Sequence, residues 1–344
     1  MGTIDMEKLV KLCVDATTKT KREIFEDSNN KIADADSFIR NKFKEIYGTA
    51  TPKYKDFKRN GAYFEIIEQV LNLEGFKGIE ENAFYQQFAE TIFIDRGDTY
   101  EFYMEDEGVV SFSEFAGDHW DINRQKLGAG AVIPIRTKTY AAGMYNDFLQ
   151  FMRGRASFAS MVNAVSKGLK AKIDQEVAAS FASAAAQLPA EFKASGVYNE
   201  DEMLKLHAHV EASGGSAIVL GTKRALSKIT KGSNIYSTYT DEMKRNLHST
   251  GNVGEFLGMT LVELPSVHKA GTFEFAYDDN QLLVLPTGST ARPVKILIEG
   301  ELEFVRDIQD ARSHYDMSYE HKVITAFGTA VVFNNGLFGQ YILS

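Results

Sequence analysis

The residues that could do chemistry in this chain are few, and their spacing decides against most of it. Cys13 is the one cysteine, so neither an internal disulfide nor a cysteine-based zinc site can form. A small buried or half-buried side chain near the N-terminus is its expected role. His207 and His209 are the closest histidine pair. Two residues apart on a helix, they do not face each other and are poorly placed to share a metal, so solvated or capping roles are expected. His119-Trp120-Asp121 sets the sole tryptophan beside two titratable groups and reads as a packing anchor before it reads as a catalytic dyad. Glu105-Asp106-Glu107 and Asp278-Asp279 have the character of solvated turns. The stretch GNVGEFLG at 251–258 has glycines without the GxGxxG of a dinucleotide site and is expected to be a tight turn. GxxxxGK[ST] and GxSxG are both missing from the sequence. Nothing has catalytic spacing, so no catalytic residue, metal or cofactor is implied and a non-enzymatic role is expected.

The elements that would carry these residues give more. With 344 residues, 44% of them hydrophobic, the chain can bury a large core in one domain or in two to three modest ones. No window approaches the roughly 18 consecutive apolar residues of a membrane helix. The first twenty residues mix both charge signs, unlike a secretory signal, which places synthesis and residence in a cytoplasm. The net charge is −9, yet residues 1–60 hold thirteen Lys/Arg against ten Asp/Glu. An acidic body argues against a sequence-specific nucleic-acid binder. The mildly basic N-terminal segment is read as a solvated helical arm, with proximity to a polyanion as the alternative.

Along the chain, Phe38, Ile39, Phe43, Ile46 and Tyr47 lie on one helical stripe, and Phe64, Ile67, Val70 and Leu71 on another. This arm cannot bury much by itself and is expected to lie on something else. From Thr91 the period becomes that of strands. IFIDRGDTYEFYMEDEG (92–108) reads as two strand segments about a Gly-Asp turn, and AVIPIRTKTY (131–140) as a returning strand whose Pro134 marks an edge or bulge. A ribbon of this kind has little core of its own and needs a surface from outside, such as a neighbouring subunit would supply. Asp147 is expected to cap a short helix bearing Phe148 to Met152. From Ser157 to Ala186 a second helix, about 45 Å long, carries Phe158, Met161, Val162, Val165, Leu169, Ile173, Val177 and Phe181 on one face. Lys167, Lys170, Lys172 and Asp174 are expected on the opposite face. Residues 196–290 read as an α/β lobe: a helix at 200–212, the buried strand AIVLG (217–221), a helix capped by Thr222, and a hairpin of FEFAY (273–277) with QLLVLP (281–286). Long strands follow at 293–307 and 317–333.

This order of elements resembles the HK97-type capsid fold of tailed double-stranded DNA phages. GIEENAFYQQFAETIFIDRGDTYEFY (78–103), FAGDHWDINRQKLGAG (115–130) and VGEFLGMTLVELPSV (253–267) are similar in wording to phage major capsid proteins. The resemblance covers about residues 62–344. It implies an α+β fold divided into an N-terminal helical arm (1–90), an extended β excursion or E-loop (91–140), a P-domain of spine helix and long strands (141–195 and 291–344), and an inserted A-domain lobe (196–290). It further implies a major capsid protein that self-assembles into hexamers and pentamers of an icosahedral head, resident in the virion after assembly in the host cytoplasm. Portal, scaffold or decoration proteins are the implied partners, with nonspecific contact to packaged DNA and no membrane. Phe112, Phe115 and Trp120 are the candidates for intersubunit contacts. No proteolytic loss of the N-terminal segment is expected. One branch of the family joins subunits by a Lys–Asn isopeptide bond. Lys126, Asn334 and Asn335 have the right types, but no Glu follows Glu320, so no crosslink is expected. An encapsulin-type shell shares the fold and is the nearest alternative; an α/β enzyme using the 196–290 lobe is a more distant one.

Overall fold

The apolar spacing of the long helix translates directly into burial. In the computed structural model helix α1 (Phe158–Ala186) buries Val162, Leu169, Ile173, Val177, Phe181 and Ala185, a face repeating at the helical period. Its 29 residues span about 43 Å. The structure describes residues 88–104, 131–147, 158–232, 254–264, 266–269, 271–287, 292–306, 318–332 and 338–344, with scattered residues before 88 and Asp241 and Arg245. The short helix expected after Asp147 and the Ser157 cap lie outside the described residues. Asp147 itself ends a strand. Asp174 departs from its expected polar face and is fully buried.

Before the helix come strands β1 (Phe25–Glu26) and β2 (Ile32–Ala33), which pair with each other. β3 (Ala89–Ile94), β4 (Tyr100–Met104), β5 (Ala131–Ile135) and β6 (Lys138–Asp147) follow. After the helix come β7 (Lys193–Gly196), α2 (Glu200–Gly214), β8 (Ala217–Gly221) and α3 (Lys223–Gly232). The chain then forms β9 (Glu255–Phe256), β10 (Met259–Glu263), β11 (Gln281–Pro286), β12 (Val294–Arg306), β13 (Ser318–Val331) and β14 (Gly339–Leu343).

A four-stranded sheet in the order β3-β12-β13-β6 carries the long strands, and β4 and β5 form a separate two-stranded ribbon. The expected strand segments around Gly97 are present, but they do not pair with each other. β3 runs parallel to β12, while β4 pairs antiparallel with β5. The returning strand likewise divides: 131–135 belongs to the ribbon and 138–147 to the long sheet. Pro134, which lacks an N–H for a central ladder, lies in this two-stranded ribbon opposite Glu101.

The lobe is a six-stranded sheet in the order β7-β14-β11-β8-β10-β9. All five residues of AIVLG are buried, as a central strand covered on both faces requires. Asn199 caps α2 by accepting from the Asp201 N–H at 3.0 Å, and acidic Glu200, Asp201 and Glu202 fill the first turn, where the helix dipole favours them. Thr222 caps α3 as expected, accepting from the Ala225 N–H at 3.3 Å. Two expectations fail. FEFAY forms no strand with β11; only Phe275 makes a β-bridge, to His268. The last strand, β14, joins the six-stranded sheet between β7 and β11, where Tyr341 and Leu343 find apolar partners, while the expectation had the whole of 291–344 with the long strands.

One core joins these layers. Ile173, Val177 and Phe181 of α1 pack with Ile296, Ile298 and Phe327 of the long strands and with Leu220, Leu283 and Leu285 of the lobe. Cys13, Ile39, Ile66, Val70 and Leu71 are buried in the same cluster. Segments of the N-terminal arm therefore pack on their own chain's core, which a sequence pattern alone does not specify.

Candidate functional site

Glu299 is the point where the ribbon is fastened to the rest of the molecule. Gly300 has φ +68°, and the pairing of β12 with β13 shifts register between Glu299 and Glu303. This bulge turns the Glu299 carboxylate to the ribbon's base. One carboxylate oxygen accepts from the Gly97 N–H at 2.9 Å, and the other accepts from the Thr137 hydroxyl. Gly97 lies in the link between β3 and β4, and Thr137 in the link between β5 and β6. A single side chain thus holds both legs of the ribbon. These two donors, with Arg96 nearby, hold the Glu299 carboxyl below its ordinary range. Arg96 also pairs with Glu303. The bulge itself is satisfied by Asn72, whose Oδ1 accepts from the Leu302 N–H at 2.9 Å.

Two further contacts fix the base. The Lys295 side chain is buried, pairs with Glu90 of β3 and lies 4.3 Å from the centroid of the Phe102 ring in β4. Gly328 of β13 lies under the Arg136–Thr137 corner so closely that a Cβ there would collide with the Arg136 carbonyl. Beyond the base, Tyr103 and Val132 of the ribbon expose more than half of their surface, as does Phe93 of β3.

On the helix side of the sheet, Glu176 receives Lys172 at 2.8 Å and Lys138 at 4.0 Å. Burial pushes the Glu176 carboxyl up, but Lys172, Tyr140 and Lys138 outweigh it and the net shift is downward. Burial, then the Glu176 charge, pushes the Tyr140 phenol up to about 12. Tyr140 stacks on Phe327 at 4.4 Å. This cluster is a brace between α1 and β6.

His207 is buried, against the expected solvated or capping role. Its Nε2 lies 3.2 Å from the Ala217 carbonyl oxygen, which ties α2 to the start of β8. Among the described residues no group of three His, Cys, Asp or Glu could hold a metal ion, and no helix is long and apolar enough to cross a membrane. Phe112, Phe115, Trp120, His119, Asp121, Lys126, Asn334 and Asn335 lie outside the described residues. Sequence reasoning missed Glu299, because its partners stand 202 and 162 residues away; the neighbouring Gly300 was the available signal for a bulge.

A long helix on a four-stranded sheet, a six-stranded lobe and a two-stranded ribbon fastened at its base make up the HK97-type architecture of phage shell subunits. A structure from Microbacterium phage Oxtober96 is similar, with a TM-score of 0.51 at 11% identity over 76% of this chain and 91% of that one. The mature capsid of bacteriophage PhiM1 gives 0.47 at 12% identity over 76% and 87%. A virus-like particle from Pyrococcus furiosus gives 0.43 at 12% over 82% and 99%. The first of these supports the fold. Curated proteins give no significant sequence match. The family model described as "SPbeta prophage-derived putative capsid protein YonB" matches residues 8–335. The chain belongs to this capsid-protein family, and its role is that of a structural shell subunit of a virion.

Proposed function

We propose that this protein is the major capsid protein that tiles an icosahedral phage head as hexamers and pentamers, assembled in the host cytoplasm around packaged DNA, without enzymatic activity. The observation that carries this reading is the ribbon. Among the described residues β4 and β5 pair only with each other and expose Tyr103 and Val132, and an isolated two-stranded ribbon is marginal in water. Its apolar side chains gain a partner surface when the ribbon lies over a neighbouring subunit. In this reading 91–140 is the E-loop, with Phe112, Phe115 and Trp120 as further contacts. The arm is 1–90, the P-domain 141–195 with the long strands of 291–344, and the A-domain 196–290 together with β14. Portal, scaffold or decoration proteins complete the head. The basic arm lies inward, where contact with phosphates is nonspecific and weakened by salt.

The test is a double variant, Tyr103→Ser with Val132→Ser, compared with the unaltered chain by sedimentation. The assembled fraction is expected to fall while the dissociated subunit keeps its melting temperature. Equal assembly of both proteins would remove the ribbon from the mechanism.

A further inference from the structure

We infer that Asn72 of the N-terminal arm is a positioning residue for the ribbon: it holds the bulge of β12 open, and through the bulge it decides whether Glu299 clasps both legs. This is a property of the single subunit and stands apart from the shell reading above. Ile66, Val70 and Leu71 of the arm are buried in the same core cluster as Ile298 and Leu302 of β12. Asn72 follows them directly, and its side chain makes two contacts with the bulge. Its Oδ1 accepts from the Leu302 N–H at 2.9 Å, and its Nδ2 donates to the Glu301 carboxylate at 3.4 Å.

The bulge is larger than a single extra residue. β12 pairs Glu299 with Ala326 and Glu303 with Ile324 of β13, so Gly300, Glu301 and Leu302 stand opposite the single Thr325. The extra residues of a bulge lose their ladder partners. Asn72 supplies an acceptor to the Leu302 N–H inside it, and a part-buried N–H left without one costs the desolvation of that group. Glu303, just past the bulge, pairs with Arg96. The residues on both sides of the bulge therefore hold the link between β3 and β4.

The register that the bulge fixes decides where Glu299 lies. Glu299 stands opposite Ala326 of β13, and Ala326 opposite Thr139 of β6. On its other side Glu299 stands opposite Ile94, the last residue of β3. This alignment brings one carboxylate to the Gly97 N–H at 2.9 Å and to the Thr137 hydroxyl. Drawn into a regular ladder from the Glu303 end, β12 would slide by two positions and set Glu299 opposite Gly328, about 7 Å along β13. No hydrogen bond to Thr137 spans such a shift.

Arm and ribbon thus bias one element that has two arrangements. With Asn72 seated, the bulge is satisfied and Glu299 meets both legs. With Asn72 withdrawn, the Leu302 N–H loses its acceptor and the regular register competes. Such coupling is reciprocal, so a ribbon pulled from its clasp also loosens Asn72. The residue type suits the place, because an amide offers both an acceptor and a donor. Alanine would leave the Leu302 N–H without an acceptor, and aspartate would set a second carboxylate against Glu301.

The experiment follows the protection of the Gly97 amide against hydrogen exchange in the dissociated full-length subunit at neutral pH. Asn72→Ala, Glu299→Gln and the double variant are compared with the unaltered chain. Asn72→Ala should lower that protection about tenfold. Glu299→Gln should lower it as well, and the double variant should lose no more than Glu299→Gln alone, because Asn72 acts through Glu299. Unchanged protection in Asn72→Ala, or a double variant less protected than Glu299→Gln, would overturn the coupling. Should Asn72→Ala not fold, the unaltered chain decides. Its Leu302 and Gly97 amides should open together, with one free energy and one denaturant dependence; separate openings would overturn the coupling. Assembly enters none of these readouts, so either result leaves the shell reading as it stands.

Discussion

Glu299 accepts from both legs of the ribbon in its ionised form, which makes the base sensitive to acid. Its folded-state pKa lies below the ordinary carboxylate value, which is about 4.3 in an unstructured chain. The contribution is therefore complete above that ordinary value and is lost as pH falls through the lower, folded one. The protection of the Gly97 amide against hydrogen exchange, taken relative to an unstructured chain at the same pH, should fall across that acid window. In Glu299→Gln that protection should already be lower at neutral pH and should not change across the acid window; unchanged protection would show that the carboxylate does not hold the leg. A second residue-scale test concerns Tyr341, fully buried in the lobe. Its hydroxyl donates to the Val197 carbonyl at 2.9 Å and accepts from the Asn199 N–H at 3.1 Å. Burial raises its pKa, the Asn199 N–H opposes that, and Glu202 adds to it. Tyr341→Phe leaves both backbone groups short of a partner and should cost about 1–3 kcal/mol in denaturant unfolding. A smaller loss would mean that water replaces the hydroxyl.

Among the elements, β13 is the one that the rest of the sheet leans on. It pairs with β12 and β6, and Ser180 of α1 reaches the Thr329 hydroxyl at 2.9 Å. Gly328→Ala drives a methyl group into the Arg136 carbonyl, and backbone cannot step aside as a side chain can. The expected loss is about 3 kcal/mol, the upper part of the overpacking range, read from the unfolding midpoint; wild-type stability would mean that the Arg136–Thr137 corner yields freely. Elements with a strong local pattern were legible in the sequence. The helix face from Val162 to Phe181, the all-apolar strand AIVLG and the cap Thr222 each follow from spacing within one segment. What pairs across the chain was not. β3 joins β12 about two hundred residues later, and β14 leaves the long strands for the lobe, because pairing is decided by which faces the finished core must cover. FEFAY has the composition of a strand yet is a turn, since the backbone closes on itself from Lys269 to Glu274. Phe112, Phe115 and Trp120 were candidate contacts implied by the family resemblance and their aromatic type, while the Glu299 clasp needed the folded register to be seen.

At the scale of the whole molecule, long helix, two sheets and arm share one core, while the ribbon carries exposed apolar side chains that this core does not use. A subunit so divided is stable in its centre and incomplete at its edges, which is what repeated association by symmetry requires. The acidic surface supports the same end by discouraging association anywhere but at matched patches. The most direct test is electron microscopy of the full chain expressed alone and examined with light scattering over a range of concentration. Closed shells, tubes or rings of subunits are expected. A monodisperse monomer or small oligomer at every concentration would contradict the claim that this chain builds a shell by itself.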